Sequence, residues 1–201
     1  MRAARLPGVT VVAADAPVLA ATPARVATEQ ILQWLDEVMD PEVPVVSVVG
    51  LGIVREVVWT YGPADTPRLR VVVTPTYSGC PATDVIAASI RDMLASHGVT
   101  AVEVQTRLSP AWTTDWMSDE ARDALRSYGI APPVEQAPSA ADGSQPIDIG
   151  ALLDSSRRAT VPCPLCGSTR TRLLSQFGST ACKALYQCNS CLEPFDYFKP
   201  H

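Results

Sequence analysis

The sequence predicts an α+β fold made of a small sheet domain, a linker and a cysteine-rich tail. Segments of helical and of strand-like hydrophobic periodicity alternate through residues 28–130, and the composition then shifts to Pro, Ala, Gly and Ser. Every cysteine except Cys80 lies beyond residue 160. With 201 residues, 47% of them hydrophobic and 18% charged, the chain is long enough for one ordinary domain and a small module.

The first helix is predicted in "TEQILQWLDEVMD". Thr28 is a suitable N-cap, and Asp40-Pro41 is expected to end the helix. The apolar side chains recur at helical spacing: Ile31, Leu32, Leu35, Val38 and Met39. Two strands are predicted next, in "LGIVREVVW" and "RLRVVVT", because both are rich in β-branched residues and the turn cluster "YGPADTP" separates them.

The same alternation continues to Gly129. "PATDVIAASIRDML" predicts a helix with Pro81 at its first position and one apolar face formed by Ala82, Val85, Ile86, Ile90, Met93 and Leu94. A third strand is expected in "AVEVQTRL", and "SDEARDALRSYG" predicts a short helix capped by Ser118. The order helix, two strands, helix, strand, helix predicts a helix-covered, three-stranded mixed sheet.

These patterns divide the chain into four regions. Residues 1–27 form an extension in which prolines, a glycine and an aspartate interrupt any signal-peptide core or membrane span. The α+β domain spans residues 28–130, a Pro/Ala-rich linker spans residues 131–160, and the tail module spans residues 161–201. Without an export signal we expect a cytoplasmic protein, in which paired cysteines bind metals or act in redox chemistry more often than they form disulfides.

The tail contains two C-x2-C pairs. Cys163 and Cys166 form the first, and Cys188 and Cys191 the second. In zinc ribbons, four such thiolates converge tetrahedrally on one zinc ion, and the spacing here fits. A segment of about 40 residues buries too little apolar surface to fold alone, so a structural zinc would supply the missing stability. Five aromatic residues are expected to form the core of this zinc ribbon: Phe177, Tyr186, Phe195, Tyr197 and Phe198.

Two alternatives concern the same tail. A rubredoxin-like iron site competes with zinc because "CPLCG" resembles one rubredoxin knuckle, although "CNSCLE" does not repeat it. Cys182 stands outside the pairs, next to Lys183, which would favour a reactive thiolate. A small buried residue or a spare metal ligand is the simpler interpretation of Cys182.

The charge balance argues against nucleic acid and anionic membranes as partners. The formal net charge is -5. In residues 161–201 the charged side chains give only a weak positive balance, below that of a nucleic-acid-binding face: Arg170, Arg172, Lys183 and Lys199 against Glu193 and Asp196. The aromatic residues of the tail are therefore interpreted as core rather than as stacking platforms for bases.

Cys80 lies in "TPTYSGCPATDVI", where the chain leaves a buried strand, turns at Gly79 and enters a helix. Exposed N–H groups at the helix N-terminus favour thiolate over thiol, so Cys80 is expected to bind a soft metal, accept sulfur or attack an electrophile. Ile86 stands where a cysteine phosphatase would have its phosphate-binding arginine, which argues against that chemistry. A buried structural cysteine is the alternative.

The acidic loop "DPEVP" offers a polar partner for Cys80. The carboxylates of Asp40 and Glu42 are suitable ligands for iron, although such a loop is more often a helix stop with solvated charges. Sequence alone does not place this loop beside Cys80.

Several long motifs together resemble a known family. "DPEVPVVSVVGLGIVREV" followed by "TPTYSGCPATDVI" is similar to the small domain shared by iron-sulfur assembly factors. With "SPAWTTDWMSDEARDALRSYGIAPP" and "FGSTACKALYQCNSCLEPFDYFKP" added, the chain resembles the family of the D component of phenylacetyl-CoA epoxidase, also called the J component of phenylacetate-CoA oxygenase. The resemblance covers about residues 29–200, apart from the linker.

The resemblance implies a role in aerobic phenylacetate catabolism. In that system a multicomponent di-iron oxygenase epoxidises phenylacetyl-CoA with electrons from an iron-sulfur reductase, and the component resembled here is an accessory that matures a metal centre. The motif cysteine of the assembly domain falls on Cys80, and the ribbon cysteines fall on Cys163, Cys166, Cys188 and Cys191. The implied partners are the oxygenase and reductase subunits, and the implied cofactors are a structural zinc and a transient iron-sulfur cluster or iron.

The residues themselves limit this role. The chain has only two histidines, no carboxylate-and-histidine helix pair of the di-iron type and no glycine-rich dinucleotide fingerprint, so it is not expected to be catalytic alone. A stoichiometric structural or electron-transfer subunit is the alternative function. Since clusters commonly take four protein ligands, a single thiolate at Cys80 favours a homodimer or an outside ligand.

Overall fold

The computed structural model describes residues 26–134 and 160–200. Most of the predicted N-terminal extension and most of the predicted linker lie outside the described residues. The chain divides into two compact units, with the division in sequence after Ala124. None of the helices within the described ranges has the length and apolar character that a membrane span requires.

The first unit contains a three-stranded sheet in the order β1-β2-β3. β1 (Val54–Tyr61) runs antiparallel to β2 (Pro67–Val73), and β2 runs parallel to β3 (Val102–Thr106). Parallel strands need a crossover connection, which α2 (Thr83–Ser96) supplies while it packs against α1 (Thr28–Leu35) and β3. The predicted mixed sheet with covering helices is confirmed.

α1 is shorter than the sequence predicts. Its N-cap is Ala27 rather than Thr28, and the predicted end at Asp40-Pro41 is wrong. The chain leaves the helix at Asp36, whose carboxylate accepts a hydrogen bond from the Ser47 hydroxyl. These tertiary contacts from the following loop, and not the helical periodicity, set the end of α1.

α2 follows the predicted periodicity with two differences. Ile86, Ile90 and Leu94 are buried as expected, but Val85 is 52% exposed and does not belong to the apolar face. The helix begins at Thr83, so Pro81 precedes the first turn instead of opening it. Both differences move the helix start away from the Cys80 loop.

The segment after β3 packs its tryptophans against the residues that precede β1. The indole N–H of Trp112 donates to the Leu51 carbonyl at 2.8 Å, and the Arg55 guanidinium lies 3.3 Å from the Trp116 ring centroid. Gly52 has a φ of +69°, and a Cβ there would lie 2.4 Å from the Trp116 carbonyl oxygen. Only glycine permits this close approach.

α3 (Asp119–Tyr128) begins and ends as the sequence predicts. The Ser118 hydroxyl accepts a hydrogen bond from the Ala121 N–H at 3.1 Å, which confirms the cap. Gly129, with a φ of +91°, follows the last turn.

The second unit contains a four-stranded sheet in the order β4-β7-β6-β5. β5 (Thr171–Ser175), β6 (Lys183–Cys188) and β7 (Pro194–Phe198) are antiparallel neighbours, and β4 (Ile130–Ala131) pairs in parallel with β7. The ribbon sheet therefore already includes residues 130–131, at the junction of the predicted domain and linker. Both residues are buried, which is why this short apolar step is retained as a strand.

The core of the second unit contains two of the cysteines. Its buried members are Ala131, Val161, Cys163, Ala184, Cys188, Phe195 and Tyr197, with Tyr186 packed against them. Phe198 is also buried, but the expectation that Phe177 joins this core is wrong, because its side chain is 68% exposed and lies beneath the Lys199 ammonium.

Substituting Gly52 tests the close approach of the tryptophan segment. We expect Gly52→Ala to lower the free energy of unfolding by at least about 2 kcal/mol, because the new Cβ both collides with Trp116 and meets a positive φ. Gly98→Ala is the matched control: its φ is +82°, yet nothing lies within 4 Å of the added Cβ, so we expect a loss of about 1 kcal/mol. Urea denaturation measures both, and equal losses would contradict the steric account.

Candidate functional site

The structure brings the four predicted tail ligands together. The sulfur atoms of Cys163, Cys166, Cys188 and Cys191 all lie within 4.8 Å of one another. Cys163 and Cys191 are 3.8 Å apart, and Cys166 and Cys188 are 3.6 Å apart. A tetrahedral ion with metal–sulfur bonds of about 2.3 Å separates its sulfurs by about 3.8 Å, so these residues fit a four-thiolate metal centre.

The backbone of the two cysteine loops follows one plan. The residue after each second cysteine has a positive φ: +71° at Gly167 and +67° at Leu192. In the first loop the Gly167 N–H donates to the Cys163 carbonyl at 2.9 Å, and in the second loop the Ser190 N–H donates to the Cys188 sulfur at 3.3 Å. These turns direct both thiols of each pair toward the centre.

The four thiols ionise over a wide pH range. The N–H groups of Cys191 and Ser190 donate to the Cys188 sulfur and, against the effect of burial, lower the pKa of Cys188 to about 6. Cys191 changes in the opposite direction: although the Glu193 N–H stabilises its thiolate, burial and the neighbouring thiols raise the pKa of Cys191 to about 12. These values belong to the coupled group. Metal binding must displace the remaining protons, so metal affinity falls as the pH decreases.

Cys182 does not join this group. Its side chain is buried, and its sulfur lies 3.0 Å from the Thr180 hydroxyl. The neighbouring Lys183 is also buried, and its ammonium nitrogen lies 3.8 Å from the carboxylate of Asp196. The geometry therefore favours a small buried residue over a spare ligand or a thiolate activated by Lys183.

Cys80 lies in the loop between β2 and α2, with its side chain half-buried. Its N–H donates to the Tyr77 carbonyl at 3.2 Å, and its own carbonyl accepts the Thr83 hydroxyl at 2.9 Å. Sequence reasoning missed Thr83. The signal was present, because a threonine three residues after a loop position, at a helix start, commonly forms such a bond.

The expectation that the helix start favours the Cys80 thiolate is wrong. Burial raises the pKa of the Cys80 thiol, and the Ala82 N–H, which donates to the sulfur, only partly opposes it. The carboxylates of Glu42 and Asp40 raise the pKa further. The thiol form is therefore favoured at neutral pH.

The same electrostatic effect places the acidic loop in the neighbourhood of Cys80, which sequence alone did not do. Asp40 is buried, and one of its carboxylate oxygens accepts the N–H groups of Glu42 at 2.8 Å and Val43 at 2.9 Å. This bonding shapes the turn and uses one oxygen of Asp40. Glu42 is half-exposed on the same turn.

A cavity of about 250 Å³ lies against the base of the Cys80 loop. It is lined by residues 74–78 together with Leu108, Ala111 and Trp112, and not by Cys80 itself. The reactive position and the cavity thus share one loop but not one surface.

Two family models match separate parts of the chain. Residues 28–105, which include Cys80, match the iron-sulfur cluster assembly protein family. Residues 151–199, which include the four converging cysteines, match the PaaD zinc beta ribbon domain.

Similar proteins cover one or both parts. The chain is 44% identical over 175 residues to the D component of 1,2-phenylacetyl-CoA epoxidase of Escherichia coli (strain K12), across 85% of this chain and 91% of that protein. A domain of unknown function from Bacillus anthracis is 30% identical with a TM-score of 0.42, covering 48% of this chain and 88% of its own. A conserved hypothetical protein from Thermotoga maritima is 30% identical with a TM-score of 0.41, covering 50% and 95%.

Removing the tail metal is expected to open the second unit and leave the first intact. Because Cys163 and Cys188 belong to the core of that unit, a strong chelator should speed amide hydrogen exchange in β5, β6 and β7, while exchange in β2 stays unchanged. Cys166→Ser, at an exposed ligand, should have the same effect. Cys182→Ser is the matched control and should retain the metal. Unchanged exchange in β6 after metal loss would contradict the prediction.

The Cys80 environment predicts slow alkylation. Since the pKa of Cys80 is raised, iodoacetamide should modify it more slowly at pH 8 than it modifies a free cysteine peptide, and the rate should keep rising with pH beyond the range in which the peptide levels off. Glu42→Gln should speed the reaction at pH 8 by removing a negative charge near the sulfur, whereas Glu103→Gln, on exposed β3, should not. Mass spectrometry of the Cys80 peptide measures the rates. Alkylation faster than the free peptide would refute the assignment.

Proposed function

The chain belongs to the family of the D component of phenylacetyl-CoA epoxidase, and from this premise we propose that it is an accessory protein that assists assembly of an iron-sulfur cluster or di-iron centre in that enzyme system. It does so without being catalytic alone. The observation that carries the proposal is the presence, in one chain, of two thiol sites of opposite character.

The tail site has the character of a resident metal centre. Four sulfurs are already in tetrahedral spacing, and two of the ligands are part of the hydrophobic core. Such a centre gains affinity because few groups must move on binding, and its metal stabilises the module that carries it. We propose that it holds zinc through Cys163, Cys166, Cys188 and Cys191 and that the zinc is structural.

Cys80 has the character of an exchangeable site. One half-buried thiol supplies a single ligand, and its raised pKa makes a proton compete with any metal at neutral pH. Glu42, and the oxygen of Asp40 that does not serve the turn, are the nearby carboxylates suited to iron. We propose that Cys80 holds iron or a cluster transiently, as the cargo of the protein.

An incomplete ligand set requires a second contributor. Clusters commonly take four protein ligands, so the remaining ones come from the client protein or from a second copy of this chain. We propose the oxygenase and reductase subunits of the epoxidase system as partners, in the cytoplasm. A catalytic role for histidine is not favoured, because the ring of His97, the histidine within the described residues, stacks on Trp34 at 4.0 Å.

Replacing Cys80 tests the proposal in cells. Cys80→Ala should abolish epoxidation of phenylacetyl-CoA while the other subunits still accumulate, and the purified variant should keep one tetrahedral metal per chain in the tail. Cys182→Ala, at the other cysteine outside the tail site, should retain activity. Full activity of Cys80→Ala would remove the proposal.

Metal and acid-labile sulfide analysis of anaerobically purified protein separates the second candidate function, a stoichiometric electron-transfer component. The four-thiolate donor set of the tail also suits iron. Zinc without sulfide in the tail supports the structural role. Iron in the tail, with a visible absorption spectrum that Cys166→Ser removes, would instead favour electron transfer.

A further inference from the structure

The first unit carries an open groove that none of the residues discussed for metal binding lines. It has a volume of about 580 Å³ and lies between α1, the loop that follows it and the first turns of α3. We call it the α1–α3 groove. Its apolar lining includes Leu32, Val46 and Ala121, and its acidic residues are Glu29, Asp36 and Glu120.

The lining of the groove is apolar inside and negatively charged at exposed positions. Val46 and Ala121 are buried and Leu32 is half-buried, whereas the three acidic residues are exposed. Met39, also in the lining, is 47% exposed. No lysine or arginine lines the groove within the part of the chain that the structure describes. An unbranched, polarizable methionine at such a position adapts to the shape of an incoming apolar side chain.

We propose that the α1–α3 groove binds a cationic amphipathic helix of a protein partner. Such a helix presents apolar side chains at i, i+3 and i+4 to the floor, and lysines or arginines beside them to the three carboxylates. Charge complementarity of this kind selects the partner and speeds its encounter. A second copy of this chain is a poor occupant, because its net charge of -5 opposes self-association at an acidic surface. The inference does not depend on the metal chemistry proposed above.

The test uses the full chain and a designed peptide of about 18 residues that contains only leucine and lysine at helical spacing. Isothermal titration calorimetry should detect binding, and NMR chemical-shift changes should cluster at Leu32, Met39 and Ala121. A peptide with glutamate in place of lysine should not bind. Absence of binding by the leucine–lysine peptide, or equal binding of both peptides, would overturn the proposal.

Matched double variants separate the groove from general charge attraction. Glu29→Gln with Glu120→Gln should weaken binding of the leucine–lysine peptide at least about tenfold. Asp92→Asn with Glu103→Gln removes the same two charges from exposed positions of the same unit and should change the affinity less than about twofold. Equal losses in both pairs would reduce the effect to net charge and overturn the proposal. So would a dimer, seen by sedimentation, that dissociates in the groove pair alone.

Discussion

Convergence of four cysteine sulfurs within 4.8 Å is the constraint on which the second unit depends. Cys163 and Cys188 serve at once as ligands and as core residues, and Cys188 is also the last residue of β6. A ligand cannot leave this centre without opening the small core around Phe195 and Tyr197. Metal binding and folding are therefore one equilibrium in this module.

The first unit shows the contrasting use of a thiol. Cys80 is held by backbone bonds within its loop, so its position does not require a metal. Its raised pKa favours the neutral thiol, which is a poor ligand until the proton leaves. A preformed loop with a protonated thiol suits binding that must be reversed, as assembly of a centre in another protein requires.

Local patterns were sufficient for the sheet order, the Ser118 cap and the spacing of the tail cysteines, because each depends on residues close in sequence. They failed at Val85 and Phe177, which have the right residue type for burial but the wrong position in the packed unit. The end of α1 depends on the Ser47 hydroxyl from a later loop. The sign of the Cys80 pKa shift depends on burial, a tertiary property that the helix-terminus argument omitted.

The acidic loop gives the Cys80 site a further property. The negative charges of Asp40 and Glu42 stabilise a proton on the sulfur, and for the same reason they attract any cation that replaces it. An iron cation bound there neutralises the charges that raised the pKa, so loss of the proton and gain of the metal favour each other. When the cation departs, the charges are exposed again and the sulfur regains its proton, which disfavours immediate rebinding. Release to a client site with more thiolate or carboxylate ligands is then downhill.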